Sequence, residues 1–398
     1  MQQISLSVFN HIAEKQTVLL RSLLDAFERE QNIHVDFEVI DWRAGWARLV
    51  EMAIYGRGPD ISEVGSTWIV DLMRMNALQS LSPRDMNPIG GESDFMPANW
   101  KAGVTLNTSD GSPIVWGVPW STDVRLIFYR RDFLEKAKID PTLAFSHIQD
   151  LAQTIESLKA HGFQLPVSLA TLRSPINVHL MASWIWDCGG DFMLPNSKRV
   201  AFDNPKALQG MRYYFGMGQY IPPSHHKISE LDVDRLFTSE DAALLFSGSW
   251  LIGTPEIKSV EANIGLASMP GGSFVGGSHL VMWKHTKKRE AALLLLDFMV
   301  KHSMEHEIFP TYGLPTYLRD WTATPFMEEP YFSAFRNALQ GGRSFPANEL
   351  WGLVEKRLAD TVPSIWEKVL DSEKPDIEKI VADTMIPLAR MLNLSLEG

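Results

Sequence analysis

The amino-acid sequence predicts an α/β protein built on a mainly parallel sheet. Strand and helix patterns alternate three times within the first seventy-five residues, and the alternation restarts after residue 120. The length of 398 residues leaves room for two to three domains at roughly 150 residues each, every one able to bury a core.

Residues 4–9 alternate as a strand, and 17–30 carry Leu20, Leu23, Leu24 and Phe27 at helical spacing, with Asn32 as the stop. A second strand over 35–39 and a second helix over 42–54 follow. Gly56-Arg57-Gly58-Pro59-Asp60 then turns the chain into a short strand over 61–64, and 67–76 is helical again. Ligands of such sheets bind at the carboxyl ends of strands, which points to the segments after Phe9 and after Val64. Asp110-Gly111-Ser112-Pro113 is a turn, 114–120 is extended and 126–129 is a strand. Helices are predicted over 145–161, 178–188 and 291–300, and the period of 348–394 is helical.

Composition excludes several function classes. The net charge of −11 without a basic block argues against a nucleic-acid partner, and no apolar run approaches the ~18 residues of a membrane span. A single cysteine, Cys188, rules out an intrachain disulfide framework and a cysteine-rich zinc site. The start of the chain shows no targeting signal, which fits a cytoplasmic protein or a mature exported form.

Three motifs are weighed and set aside. Gly271 to Ser278 has the glycine spacing of a phosphate loop, but Gly277 stands where the lysine must be. Gly276-Gly277-Ser278-His279-Leu280 lacks the last glycine of a nucleophile elbow. His302-Ser303-Met304-Glu305-His306 fits H-x-x-E-H but offers no third ligand, so no metal is expected. His225-His226 reads as a solvent-exposed loop pair.

The 13 tryptophans are the compositional signal, because each buried indole N–H wants a partner. Trp184 and Trp186 share an apolar helical stretch, so at least one of them reads as core, and Trp283, alternating with Val281 in a strand, does too. Trp68, Trp120, Trp250 and Trp351 each follow a strand, turn or loop break, where an indole can stack on the C–H face of a sugar while carboxylates take its hydroxyls; any one of them can equally be core, but that four share this setting favours a ligand. Glu63 and Glu14 are the weaker acidic members of that set.

Several segments then resemble the solute-binding proteins of carbohydrate ABC importers, the family that includes maltose-binding protein. They are Gly58-Pro59-Asp60-Ile61, Asn76-Ala77-Leu78-Gln79-Ser80-Leu81, Gly117-Val118-Pro119, Ile127-Phe128-Tyr129-Arg130-Arg131-Asp132, Gly189-Gly190-Asp191 and Phe202-Asp203-Asn204-Pro205. The F-x-S…A-x-x-x-x-G-S-W block ending at Trp250, Met269-Pro270-Gly271-Gly272 and Gly276-Gly277 complete the series in order. The resemblance implies a type II periplasmic-binding-protein fold with two discontinuous α/β lobes, a hinge and an interlobe cleft. It divides the chain into an N-terminal lobe of 1–116 plus 264–312 and a C-terminal lobe of 117–263 plus 313–398.

The resemblance also implies a set of ligand contacts. Asp123 matches an acidic sugar contact, Trp250 an aromatic platform and Trp351 a second one. Thr67 and Trp68 replace the family's charged pair, which implies a specificity different from maltose. His11, Glu14, Asn177 and His179 occupy further contacts, Tyr312 lies at an expected crossing between lobes, and Gly277 and Ser278 belong to a glycine-rich approach of backbone to a ligand or neighbouring segment. The implied protein is a non-catalytic monomer without a cofactor, an exported lipoprotein or periplasmic binder that delivers a neutral di- or oligosaccharide or glycosyl-polyol to an ABC permease. Two alternatives stay open: a binder of glycerol-phosphodiesters or phosphorylated sugars, with Arg125 and Arg173 as anion contacts, and a glycoside hydrolase, for which no carboxylate pair speaks.

Overall fold

The computed structural model describes residues 2–10, 13–107, 109–194, 198–239, 242–252, 254–324, 326–345 and 350–396. Among the described residues the strands are, in chain order, β1 (Gln2–Phe9), β2 (Ile33–Ile40), β3 (Ile61–Gly65), β4 (Val104–Leu106), β5 (Pro113–Val115), β6 (Val118–Val124), β7 (Leu126–Arg130), β8 (Leu165–Ser168), β9 (Ala242–Ser247), β10 (Ile264–Ser268), β11 (Val275–Met282) and β12 (Leu314–Pro315). The chain forms two compact units. One comprises Met1–Asp123, Val275–Phe332 and Ser344–Gly352, the other Val124–Phe274, Ser333–Arg343 and Leu353–Gly398.

The first unit holds a six-stranded sheet in the order β12-β6-β11-β3-β1-β2. β1 is parallel to both β2 and β3, with Leu6 opposite Phe37 and Ile61, as the opening alternation predicts. Asn32 ends the helix Ala13–Gln31 in a left-handed conformation (φ 53°), one that asparagine tolerates better than most residues. Asp60 of the Gly-Pro-Asp turn is an anchor. It accepts from the Ser5 amide (2.9 Å), the Thr286 hydroxyl (2.5 Å) and Lys288 Nζ (3.0 Å), tying the start of β3 to β1 and to the turn after β11. Trp283 is fully buried and donates its indole N–H to Ser62 Oγ at 2.7 Å, so it is the core residue its strand alternation predicts.

The second unit holds a four-stranded sheet in the order β10-β7-β9-β8. β8 and β9 are parallel, while β7 runs antiparallel to β9 and to β10. The carboxyl ends of β8, β9 and β10 therefore share one edge of the sheet with the start of β7. The helix Pro175–Asp187 packs on the helix Pro205–Gly216. Its Trp184 lies edge-on to Tyr214 (5.4 Å) and Phe246 (5.0 Å), inside the core as predicted.

The unit boundaries fall elsewhere than expected, and strand pairing gives the reason. β6 belongs to the first sheet, so the first passage lies after Asp123 rather than at 116. β10 pairs with β7, which moves the return from 263 to Phe274. β12 pairs with β6, so the chain stays in the first unit beyond 312. The predicted extended run over 114–120 is two strands, because β5 turns back on β4. The C-terminal helical region is two helices, Trp351–Leu370 and Ile377–Leu396.

His279 in β11 has no exposed surface. Its Nε2 lies 2.9 Å from the Asn99 carbonyl, which can only accept, so Nε2 carries the proton and Nδ1 faces Ser66 Oγ at 3.2 Å. Burial pushes its pKa from 6.5 down to about 4. Between those values the unfolded chain holds a proton here and the folded chain does not, so this contribution to stability is lost as pH falls through that window. It amounts to about 3 kcal/mol. In urea unfolding, the stability gap between wild type and His279→Gln should shrink by that amount from pH 7 to pH 4. A gap that stays constant with pH would contradict the assignment.

Candidate functional site

In the first unit, aromatic side chains gather at the carboxyl ends of the three parallel strands. Phe9 ends β1, Trp42 opens the helix Trp42–Tyr55 after β2, and Trp68 sits in the helical turn Ser66–Trp68 after β3. Trp42 stacks on Phe9 (4.1 Å between ring centres, 26° between planes) and lies 5.5 Å from Trp68. Trp46, one turn further along its helix, lies 5.7 Å from Trp68. Phe9 is buried, whereas the three indoles are only half-buried against the core beneath. Gly45 permits this packing, since a Cβ there would come within 2.6 Å of the Phe9 ring. Half-exposed indoles over a fixed base are suited to the apolar face of a small polar ligand.

Side chains position the end of β1. Pairing of β1 with β3 stops after Ser7 and Ser62, and the Glu63 carboxyl takes over by accepting from the Phe9 amide at 2.7 Å. The Tyr312 hydroxyl lies 2.8 Å from the same carboxyl oxygen and 2.9 Å from the Phe9 carbonyl, which also receives Gln16 Nε2 at 2.7 Å. Burial first, and the neighbouring Glu63 second, push the Tyr312 phenol well above its ordinary value.

The second unit carries its own aromatic and charged group at the carboxyl ends of β8, β9 and β10. Arg125, buried just before β7, has its guanidinium over the Trp250 ring (4.3 Å) and over the Phe274 ring (5.6 Å). Trp250 follows β9 and donates its N–H to Asp234 Oδ2 at 3.2 Å, while Ser247 Oγ donates to Asp234 Oδ1 at 2.9 Å. Loss of hydration pushes the Asp234 carboxyl up to about 6. His179 stacks on Phe274 (4.2 Å, 18°) and pairs with Glu355 at 2.8 Å.

Against this geometry, residues 13–304 match the model of the bacterial extracellular solute-binding protein family. The chain belongs to that family. A putative binding protein of Brucella abortus (strain 2308) is 21% identical over 362 residues, covering 88% of this chain and 84% of that one. Among solved structures, an ABC transporter solute-binding protein of Thermotoga lettingae TMO bound with α-D-tagatose superposes with a TM-score of 0.81 at 17% identity, covering both chains in full. The maltose-bound MalE3 of T. maritima gives a TM-score of 0.80 at 19% identity over 99% of this chain and 100% of that one. The fold is thus the two-lobe type II periplasmic-binding-protein fold, as the sequence predicts. No helix among the described residues is long and apolar enough to cross a membrane.

For this solute-binding protein the predicted site residues separate into groups. Thr67 and Trp68 lie in the first unit's aromatic face, and Asp123 is half-buried near the end of β6. Trp250 and His179 join the second unit's group. Others have partners of their own, most of them in the interior. Trp120 is fully buried, with its N–H on Ser303 Oγ (3.0 Å) and its ring on Tyr312 (4.6 Å). Glu63 and Tyr312 serve the end of β1, as above. Ser278 bonds Ser121 Oγ (2.8 Å), and a Cβ on Gly277 (φ 121°) would strike the Ser121 carbonyl, so this pair serves the close passage of β11 by β6. Asn177 is buried and donates to the Leu172 carbonyl at 2.8 Å, and Trp351 is buried in a stack on Phe345 at 3.9 Å. Arg173 is exposed and paired with Asp360 at 2.6 Å. His11 lies outside the described residues. Glu14 belongs to the helix Ala13–Gln31, with its side chain outside them.

Sequence reasoning missed Trp42, Trp46 and Asp234. The Trp-x-x-x-Trp spacing immediately after a strand was the available signal for the first two. Nothing local marks Asp234, which reaches Trp250 from a helix sixteen residues upstream.

Tyr312→Phe tests the interior reading. It leaves the Glu63 carboxyl short of a donor, so apo stability should fall by about 1–3 kcal/mol. Urea unfolding reads this directly, and a variant as stable as the parent would contradict the role given to Glu63.

Proposed function

We propose that this protein is the substrate-binding component of a carbohydrate ABC importer. It captures a neutral di- or oligosaccharide or glycosyl-polyol by closure of its two lobes and delivers it to a membrane permease. It works outside the cytoplasmic membrane, in the periplasm or anchored at the cell surface, as a monomer and without catalysis. The observation that carries the reading is the face formed by Trp42, Trp46 and Trp68 over Phe9, at the strand ends where α/β sheets take ligands. Indole faces suit the C–H surface of pyranose rings, and more than one platform suits more than one ring. The related structures hold maltose, a neutral disaccharide of this class, and tagatose, a neutral monosaccharide, so both support a neutral sugar.

The two arginines that would favour a phosphorylated ligand both have partners within the second unit. Arg173 pairs with Asp360 at the surface, and both ring contacts of Arg125 are intramolecular. A neutral ligand is therefore preferred to an anionic one.

Calorimetry against maltose, trehalose, sucrose, glucosylglycerol and glycerol 3-phosphate should give heat with at least one neutral glycoside. The same ligand should make the protein more compact in solution scattering. Trp46→Ala should weaken that binding by roughly tenfold or more, the lower range of a hot-spot loss. Binding of glycerol 3-phosphate alone would overturn the assignment of ligand class.

A further inference from the structure

The group around Trp250 comprises one ring and three restraints on it. At one edge, the indole N–H is held by Asp234 Oδ2 at 3.2 Å, and Asp234 is itself oriented by Ser247 Oγ at 2.9 Å. At the opposite edge, the benzo ring folds back over Gly248, where a Cβ would come within 1.9 Å of the ring. Across one face lies the Arg125 guanidinium at 4.3 Å, backed on Phe274 at 5.6 Å. Despite these restraints Trp250 remains half-exposed.

A side chain held at both edges and on one face loses little conformational freedom when a ligand arrives, and the saved ordering cost appears as affinity. We propose that Asp234, Gly248 and Arg125 are positioning residues that brace Trp250 as a preorganised stacking platform, with Asp234 setting the angle of the ring. This deepens the sugar-binding reading and rests on it. Asp234 supplies two acceptors at once, one for the indole and one for Ser247. Asparagine can keep the indole bond through its carbonyl oxygen and turn its amide toward the serine oxygen, whereas alanine removes both bonds.

The test has a ligand-free arm and a ligand arm. The near-ultraviolet circular dichroism that disappears in Trp250→Phe is the signature of the held ring. It should fall by at least half in Asp234→Ala and persist in Asp234→Asn. Gly248→Ala reaches the same ring without touching the carboxylate and should lose the signal too, which keeps the test decisive if Asp234→Ala fails to fold. With the tightest binder among maltose, trehalose, sucrose and glucosylglycerol as the probe, Asp234→Ala should weaken binding about tenfold in the wild-type background but less than twofold in a Trp250→Ala background, since coupled residues are not additive. Independent, additive losses, or an unchanged dichroic signal in Asp234→Ala and Gly248→Ala, would overturn the proposal. If none of these four glycosides gives heat with the wild type, that result counts against the ligand class, and the dichroic comparison still decides whether the ring is braced.

Discussion

The carboxyl group of Glu63 occupies the place where two parallel strands part. β1 and β3 share a ladder only as far as Ser7 and Ser62, and the next free amide, that of Phe9, would be buried without a partner. Glu63 receives it, Tyr312 closes over the same oxygen, and Gln16 satisfies the Phe9 carbonyl. An unmet buried donor costs about 1–3 kcal/mol, so the strand end stays in one position only while this arrangement is intact. The Phe9 ring is fixed by its own backbone, Trp42 lies on Phe9, and Trp68 and Trp46 follow in sequence. The aromatic face of the first unit is thereby built on one interior carboxylate.

Much of the fold was legible because its signals are local. The alternation of β1, the helical spacing of Leu20, Leu23, Leu24 and Phe27, and the Gly-Pro-Asp turn each report the backbone around them. The unit boundaries were less legible because pairing across long separations sets them. Val118–Val124 looks like any extended segment until β11 and β12, which come more than 150 residues later, flank it. The resemblance supplied the type II fold, but it placed each boundary short of the strand that decides it.

The same distinction explains the site. A tryptophan after a strand break signals a strand end, yet it does not reveal which way the ring turns. Trp68 and Trp250 stay half-exposed, while Trp120 turns inward to Ser303 and Trp351 to Phe345. Glu63 read as a ligand carboxylate because it stands beside the ligand loop, but the unmet amide of Phe9, fifty-four residues earlier, claims it. Asp234 was silent for the converse reason: its partner lies in another element, and only the folded chain brings the two together.

In the proposed function the aromatic groups at the strand ends of each unit hold the solute. Hydrogen–deuterium exchange with and without saturating neutral glycoside tests this, because backbone amides report on each segment separately. Slowed exchange is expected around 42–46 and 66–68 in the first unit and around 248–251 in the second. Protection confined to other segments, such as 141–146 and 267–271, with these amides unchanged, would contradict it.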